Sequence, residues 1–217
     1  MLSPTSNSLL HQTSKLTVWS CSKVRNFMSP SVARGLLNLQ VLFIEHCQSM
    51  EEVITKEEQQ GEGIITLFPQ LETLYLSYLP NLGHFFLTNG ALEFPFLKEM
   101  IIKECPEMKT FVKQEIYVST PSLEKVNFDN EVTVDDQNKA MFNYKIFCPN
   151  LEKLYINGAN SISALCSHQL PTAYFSKLVK LKVKSCEKLR NLMSPSVARG
   201  ALNLQILKID DCQSMEE

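Results

Sequence analysis

Residues 178–189 read LVKLKVKSCEKL, and apart from Val179 their apolar positions are Leu178, Leu181, Val183, Cys186 and Leu189. The steps between them are 3, 2, 3 and 3. Leu181-Lys182-Val183 alternates apolar and polar, the period of a strand with one buried face. The wider steps after it suit a tight inward turn. Cys186 is small enough to sit under that turn and bond to the backbone of the bend.

The same steps recur along the chain. Aligned on the strand, the first slots of eight units are Thr13, Leu39, Leu71, Leu97, Leu123, Leu151, Leu178 and Leu204. Their spacings are 26, 32, 26, 26, 28, 27 and 26, and all but one fall within the 20 to 29 residues of a leucine-rich repeat. The third unit is complete, with Leu71, Leu74, Leu76, Leu79 and Leu82. The fifth carries Leu123, Val126 and Phe128 and then fades into a polar stretch over 129–143. The spacing of 32 is explained by the acidic run EEVITKEEQQGEG at 51–63, which reads as an exposed loop. Phe68-Pro69, Phe94-Pro95, Thr120-Pro121 and Cys148-Pro149 precede four of the units, and proline there keeps the chain extended.

A longer period lies above the first. Residues 16–52 and 181–217 are identical at 27 of 37 positions, so a block of repeats was duplicated. MSPSVARG occurs in both copies, at 28–35 and 193–200. Ser29 suits an N-cap and Pro30 the first helical position, so a short helix is expected on the outer side of the array. The copies differ at outward strand positions: Trp19 becomes Lys184, Phe43 becomes Lys208, and Glu45-His46 becomes Asp210-Asp211. Core slots change conservatively, as in Val24 to Leu189 and Phe27 to Leu192. A frame kept while one face drifts is the pattern of a binding surface.

The expected fold is therefore an α/β solenoid. It is a leucine-rich-repeat horseshoe with a concave parallel sheet and short helices or irregular segments on the convex side. Residues 1–12 read as an irregular N-terminal segment and residues 13–217 as an array of about eight units. The chain stops inside a motif without a polar capping unit, so the array is expected to be cut from a longer protein. Outward slots between the two core positions of each strand are Thr17, Phe43, Tyr75, Ile101, Asn127, Tyr155, Lys182 and Lys208. One pleat further come Trp19, Glu45, Ser77, Lys103, Asp129, Asn157, Lys184 and Asp210. Exposed aromatics gathered in one region mark a partner surface. Trp19, Phe43, Tyr75, Ile101 and Tyr155 are the candidate partner-binding residues of the concave face.

Composition excludes several classes. With 21 Lys plus Arg against 23 Asp plus Glu, the net charge of −2 gives no reason to bind nucleic acid. Charges interrupt every leucine-dense segment, so no membrane span is expected. Five of the seven cysteines, Cys21, Cys47, Cys105, Cys186 and Cys212, fall on the turn slot, which suits structural thiols in a reducing compartment. There is no Cys-x-x-Cys pair, no HExxH, no phosphate loop and no Asn-x-Ser/Thr acceptor. Cys166-Ser167-His168 sets a thiol near an imidazole, but adjacent residues rarely form a nucleophile pair. No enzyme, cofactor or metal site is expected.

The long motif at 16–54 and 178–215, with the FPQLETLYL of 68–76 and the CPNLEKLYI of 148–156, resembles one family. It is similar to the C-terminal repeat region of plant intracellular nucleotide-binding leucine-rich-repeat disease-resistance proteins, of the coiled-coil subclass. The resemblance implies a cytoplasmic innate-immune receptor acting in pathogen perception or in autoinhibition. Its partner would be a pathogen effector, a guarded host protein or the receptor's own nucleotide-binding domain. The coiled-coil and nucleotide-binding domains are absent from this segment, so nucleotide binding is not implied here. The alternative is the substrate-recognition array of a ubiquitin-ligase adaptor, but the first residues contain no F-box-like segment.

Overall fold

The computed structural model describes residues 12–56, 63–113, 140–167 and 170–215. Seven strands of five residues form one parallel sheet. They are β1 (Lys15–Trp19), β2 (Val41–Glu45), β3 (Thr73–Ser77), β4 (Glu99–Lys103), β5 (Lys153–Asn157), β6 (Lys180–Lys184) and β7 (Ile206–Asp210). Their order in space is their order in sequence, as in a solenoid that adds one strand to this sheet per lap. The burial of β2 alternates as the sequence requires: Leu42 and Ile44 are sealed inside, while Val41, Phe43 and Glu45 are half-buried. The same register puts Leu42 beside Leu74, Leu74 beside Met100 and Leu154 beside Leu181, so each lap covers its neighbour's aliphatic rung. A fully buried Leu or Ile contributes about 1.5–3 kcal/mol, and only when the next lap is in place.

The turn slot works as its chemistry suggests. Each thiol reaches back to the last carbonyl of its own strand: Cys47 Sγ to Glu45 O at 3.5 Å, Cys105 Sγ to Lys103 O at 3.4 Å and Cys186 Sγ to Lys184 O at 3.3 Å. Burial pushes the Cys105 and Cys186 thiols up to about 12. All seven cysteines are free.

Behind the sheet, Asn26–Met28, Glu52–Ile54, His84–Leu87 and Val112–Lys113 form a second parallel ladder. The expected helices are present. α1 (Pro30–Gly35) is capped by Ser29, whose Oγ accepts from Val32 N at 3.4 Å, and α2 (Pro195–Gly200) by Ser194 in the same way. Between them, among the described residues, the outer side carries strands in place of helices: Ile64–Thr66, Ala91–Glu93 and Ile146–Phe147 form a third ladder of short strands. These segments lack the Ser-Pro start, and β-branched Ile64, Ile65 and Thr66 favour the extended form.

The count of laps in the sheet also departs from the sequence reading. β4 pairs directly with β5, Ile101 opposite Tyr155, so no rung stands between them. The residues read as the fifth unit, Leu123, Val126 and Phe128, lie outside the described residues, as do Asn127 and Asp129. The flank does contain an added rung at this level. Ala140–Phe142 pairs with Ala164–Cys166, and Phe111 N donates to Met141 O at 2.9 Å. Buried Asn143 locks the junction, its amide donating to Val112 O at 2.9 Å and its Oδ1 accepting from Lys145 N at 3.0 Å.

Candidate functional site

The outward face of the sheet follows from register alone. Thr17, Phe43, Tyr75, Ile101, Tyr155, Lys182 and Lys208 are successive neighbours across the strands and form one row. Four of the five candidate residues thus lie in a single line. Trp19 stands one pleat away, in the row that continues through Glu45, Ser77, Lys103, Asn157, Lys184 and Asp210.

Geometry ties the rings into a continuous surface. Phe43 and Tyr75 stack at 4.0 Å with planes 4° apart, because parallel in-register strands hold equivalent side chains side by side. Each ring covers one face of the other, which is why both are half-buried. Trp19 lies at the edge of the sheet and is 65% exposed. Tyr155 lies under two ammonium groups, Lys180 Nζ at 5.5 Å and Lys182 Nζ at 5.7 Å from its centroid. These are cation–π distances.

A third row was not legible as a surface in the sequence. The residue after each strand adopts a left-handed backbone: Ser20, His46, Tyr78, Glu104, Ser185 and Asp211 have φ between 49° and 56°, and Gly158 has 66°. This bend turns the chain inward and aims each side chain along the rim. His46 and Tyr78 stack there at 4.6 Å and 4°. Trp19 meets His46 edge-on at 6.5 Å, and Lys103 Nζ lies 5.0 Å over Tyr78. The neighbouring Tyr78 side chain raises the Lys103 ammonium above its ordinary value. The slot after the strand is the signal that could have found His46 and Tyr78. Ser77 keeps its register in the second row but is fully buried, so that row is closed over at that rung.

Among the described residues, no group of three or more His, Cys, Asp or Glu could hold a metal ion. No helix among them is long and apolar enough to cross a membrane. The site is a ribbon of rings and charges on a sheet fixed by its core.

Comparison with known proteins bears on what such a ribbon serves. The family described as plant disease resistance protein RPS2-like, leucine-rich repeats, matches residues 2–131 and again residues 113–213. The chain belongs to this family. Similar proteins from Arabidopsis thaliana include Disease resistance protein At4g27190, 26% identical over 168 residues, which are 73% of this chain and 17% of that protein. Disease resistance protein SUMM2 is 28% identical over 158 residues, 68% of this chain and 17% of its own length. Probable disease resistance protein At1g61310 reaches 40% over 72 residues, 33% of this chain and 8% of that protein. The chain therefore spans a sixth or less of these relatives. No solved structure gives a significant match. Its leucine-rich repeats are of the plant disease-resistance type, and in this chain they take the form of a parallel ladder.

Proposed function

We propose that this chain is the protein-recognition region of a cytoplasmic plant immune receptor of the coiled-coil subclass. The concave ribbon binds a protein: a pathogen effector, a guarded host protein or the receptor's own nucleotide-binding domain. The observation that carries this reading is the run of stacked, partly exposed rings, Phe43 on Tyr75 and His46 on Tyr78, on a face whose backbone is fixed by its core. Rigid aromatic anchors lose little conformational entropy on binding. Free thiols throughout the chain accord with a reducing compartment.

The test is proximity labelling in leaf tissue with the wild-type chain, with Phe43→Ala/Tyr75→Ala, and with a control altered at exposed Lys188 and Glu187. The reading expects a set of labelled proteins lost with the ring substitutions and kept with the control, with all three chains folded at the labelling temperature by circular dichroism. Identical sets for all three would refute it.

A further inference from the structure

The duplication allows a direct comparison of one frame carrying two surfaces. In the first copy the outward slots of β1 and β2 hold Thr17, Trp19 and Phe43. In the second copy the same slots, on β6 and β7, hold Lys182, Lys184 and Lys208. The inward slots and the turn cysteines keep their character, Leu16 and Ile44 matching Leu181 and Ile209. One end of the ribbon is therefore aromatic and nearly neutral, and the other is cationic.

The lysines are poorly compensated. Lys182 and Lys208 are direct cross-strand neighbours, an arrangement that sets like charges against each other and works against the sheet. Lys184 and Lys208 share one carboxylate, Asp210, at 3.6 and 4.0 Å. Asp211, a second acid among the described residues of this end, accepts from the Ser185 hydroxyl at 3.1 Å. Lys180 and Lys182 lean over the uncharged Tyr155 ring. A bound anionic group would relieve a repulsion already built into β6 and β7.

We infer that the ribbon is bipartite and takes a protein segment in which an apolar or aromatic pair stands a few residues from an acidic pair. The rings seat on Phe43 and Tyr75, and the carboxylates on Lys182 and Lys208. This deepens the proposed function and rests on it. The spacing follows from the ladder. From β3 to β6 is three rungs, about 14 Å at 4.7–4.9 Å each. An extended chain advances about 3.3 Å per residue, so about four residues separate the two halves of the segment. Charge complementarity fixes the acidic half, and stacked rings the other.

The experiment is panning of a phage-displayed random 12-residue peptide library on the purified 217-residue chain, with elution in 1 M NaCl. The comparison variants exchange what the duplicated frame already carries: Lys182→Thr/Lys208→Phe gives the second copy the first copy's residues, and Phe43→Lys does the reverse. Each is accepted only if its circular dichroism spectrum matches that of the wild type and its melt begins above the panning temperature. The inference expects enriched peptides with an apolar pair three to five residues from two acids, and at least tenfold weaker binding to either variant. Enriched peptides without acids, still lost on Phe43→Lys, would overturn the bipartite inference and leave the concave reading standing. Peptides bound equally by wild type and both variants, or none enriched at all, would overturn both.

Discussion

Leu74 and Tyr75 are adjacent in sequence and face opposite ways, so substituting each in turn measures the fold's orientation. Leu74 is fully buried between Leu42 and Met100 of the neighbouring laps. Leu74→Ala leaves a cavity that rigid rungs cannot close, and its expected loss is about 3 kcal/mol, within the 2–5 kcal/mol range for such truncations. Tyr75 is half-buried, and its chief contact is the Phe43 ring. Tyr75→Ala forfeits about 0.5–1.5 kcal/mol of ring pairing plus a part of the area it covers, for a total of about 1–1.5 kcal/mol. Urea denaturation followed by circular dichroism separates the two. With a slope of about 2–3 kcal/mol/M, Leu74→Ala moves the midpoint by about 1–1.5 M and Tyr75→Ala by about 0.5 M. Equal shifts would mean that Tyr75 is core, and the assignment of the outward row would be wrong. Leu74→Asp goes further: an unpaired carboxylate on that rung unfolds several neighbouring laps, seen as a lower-amplitude, broadened transition.

Three other outcomes follow from single positions. A Cβ on Gly200 would stand 1.6 Å from the Thr172 carbonyl oxygen, so Gly200→Ala must displace backbone and should lower stability by about 2 kcal/mol in a thermal melt. Gly158 has φ +66° and a Cβ there would meet the Glu104 carboxylate, so Gly158→Ala is expected to destabilise by about 1–2 kcal/mol. Thiol labelling at pH 8 should modify Cys21 and Cys212, the two partly exposed cysteines, while the folded chain protects the other five. At a pKa of about 12, the thiolate fraction of Cys105 or Cys186 is about one in ten thousand at pH 8 and still only about one in a thousand at pH 9, so raising the pH to 9 should not release them.

The strands were legible because inward slots repeat at steps of 3, 2, 3 and 3, and each inward residue must meet its counterpart one lap on. The helices were legible because Ser29-Pro30 and Ser194-Pro195 state both cap and first turn. Three features were not. The third ladder arises where Ile65 and Leu92 pair across laps, a contact between segments that carry no periodic pattern of their own. The direct pairing of β4 with β5 escapes a spacing argument, because residues 97 and 151 differ by 54, twice the repeat, and either one or two rungs fit that interval. The left-handed bend is occupied by Ser, His, Tyr, Glu and Asp as well as Gly158, so no residue type announces it. It is imposed by the ladder, since the chain must turn inward under each strand whatever side chain stands there. For the site, the row of Phe43, Tyr75, Ile101 and Tyr155 could be read from alternation. The stacking of His46 on Tyr78 could not, because it depends on that bend.

The central claim is that consecutive laps stack in parallel and in one register, with β4 against β5. The measurement that tests it most directly is a backbone NOESY spectrum of the perdeuterated, amide-protonated chain. The account predicts cross-strand contacts linking residues 41–45 to 73–77, 73–77 to 99–103, and 99–103 to 153–157. Contacts from 99–103 to residues 125–129, or antiparallel contacts anywhere in the series, would contradict it.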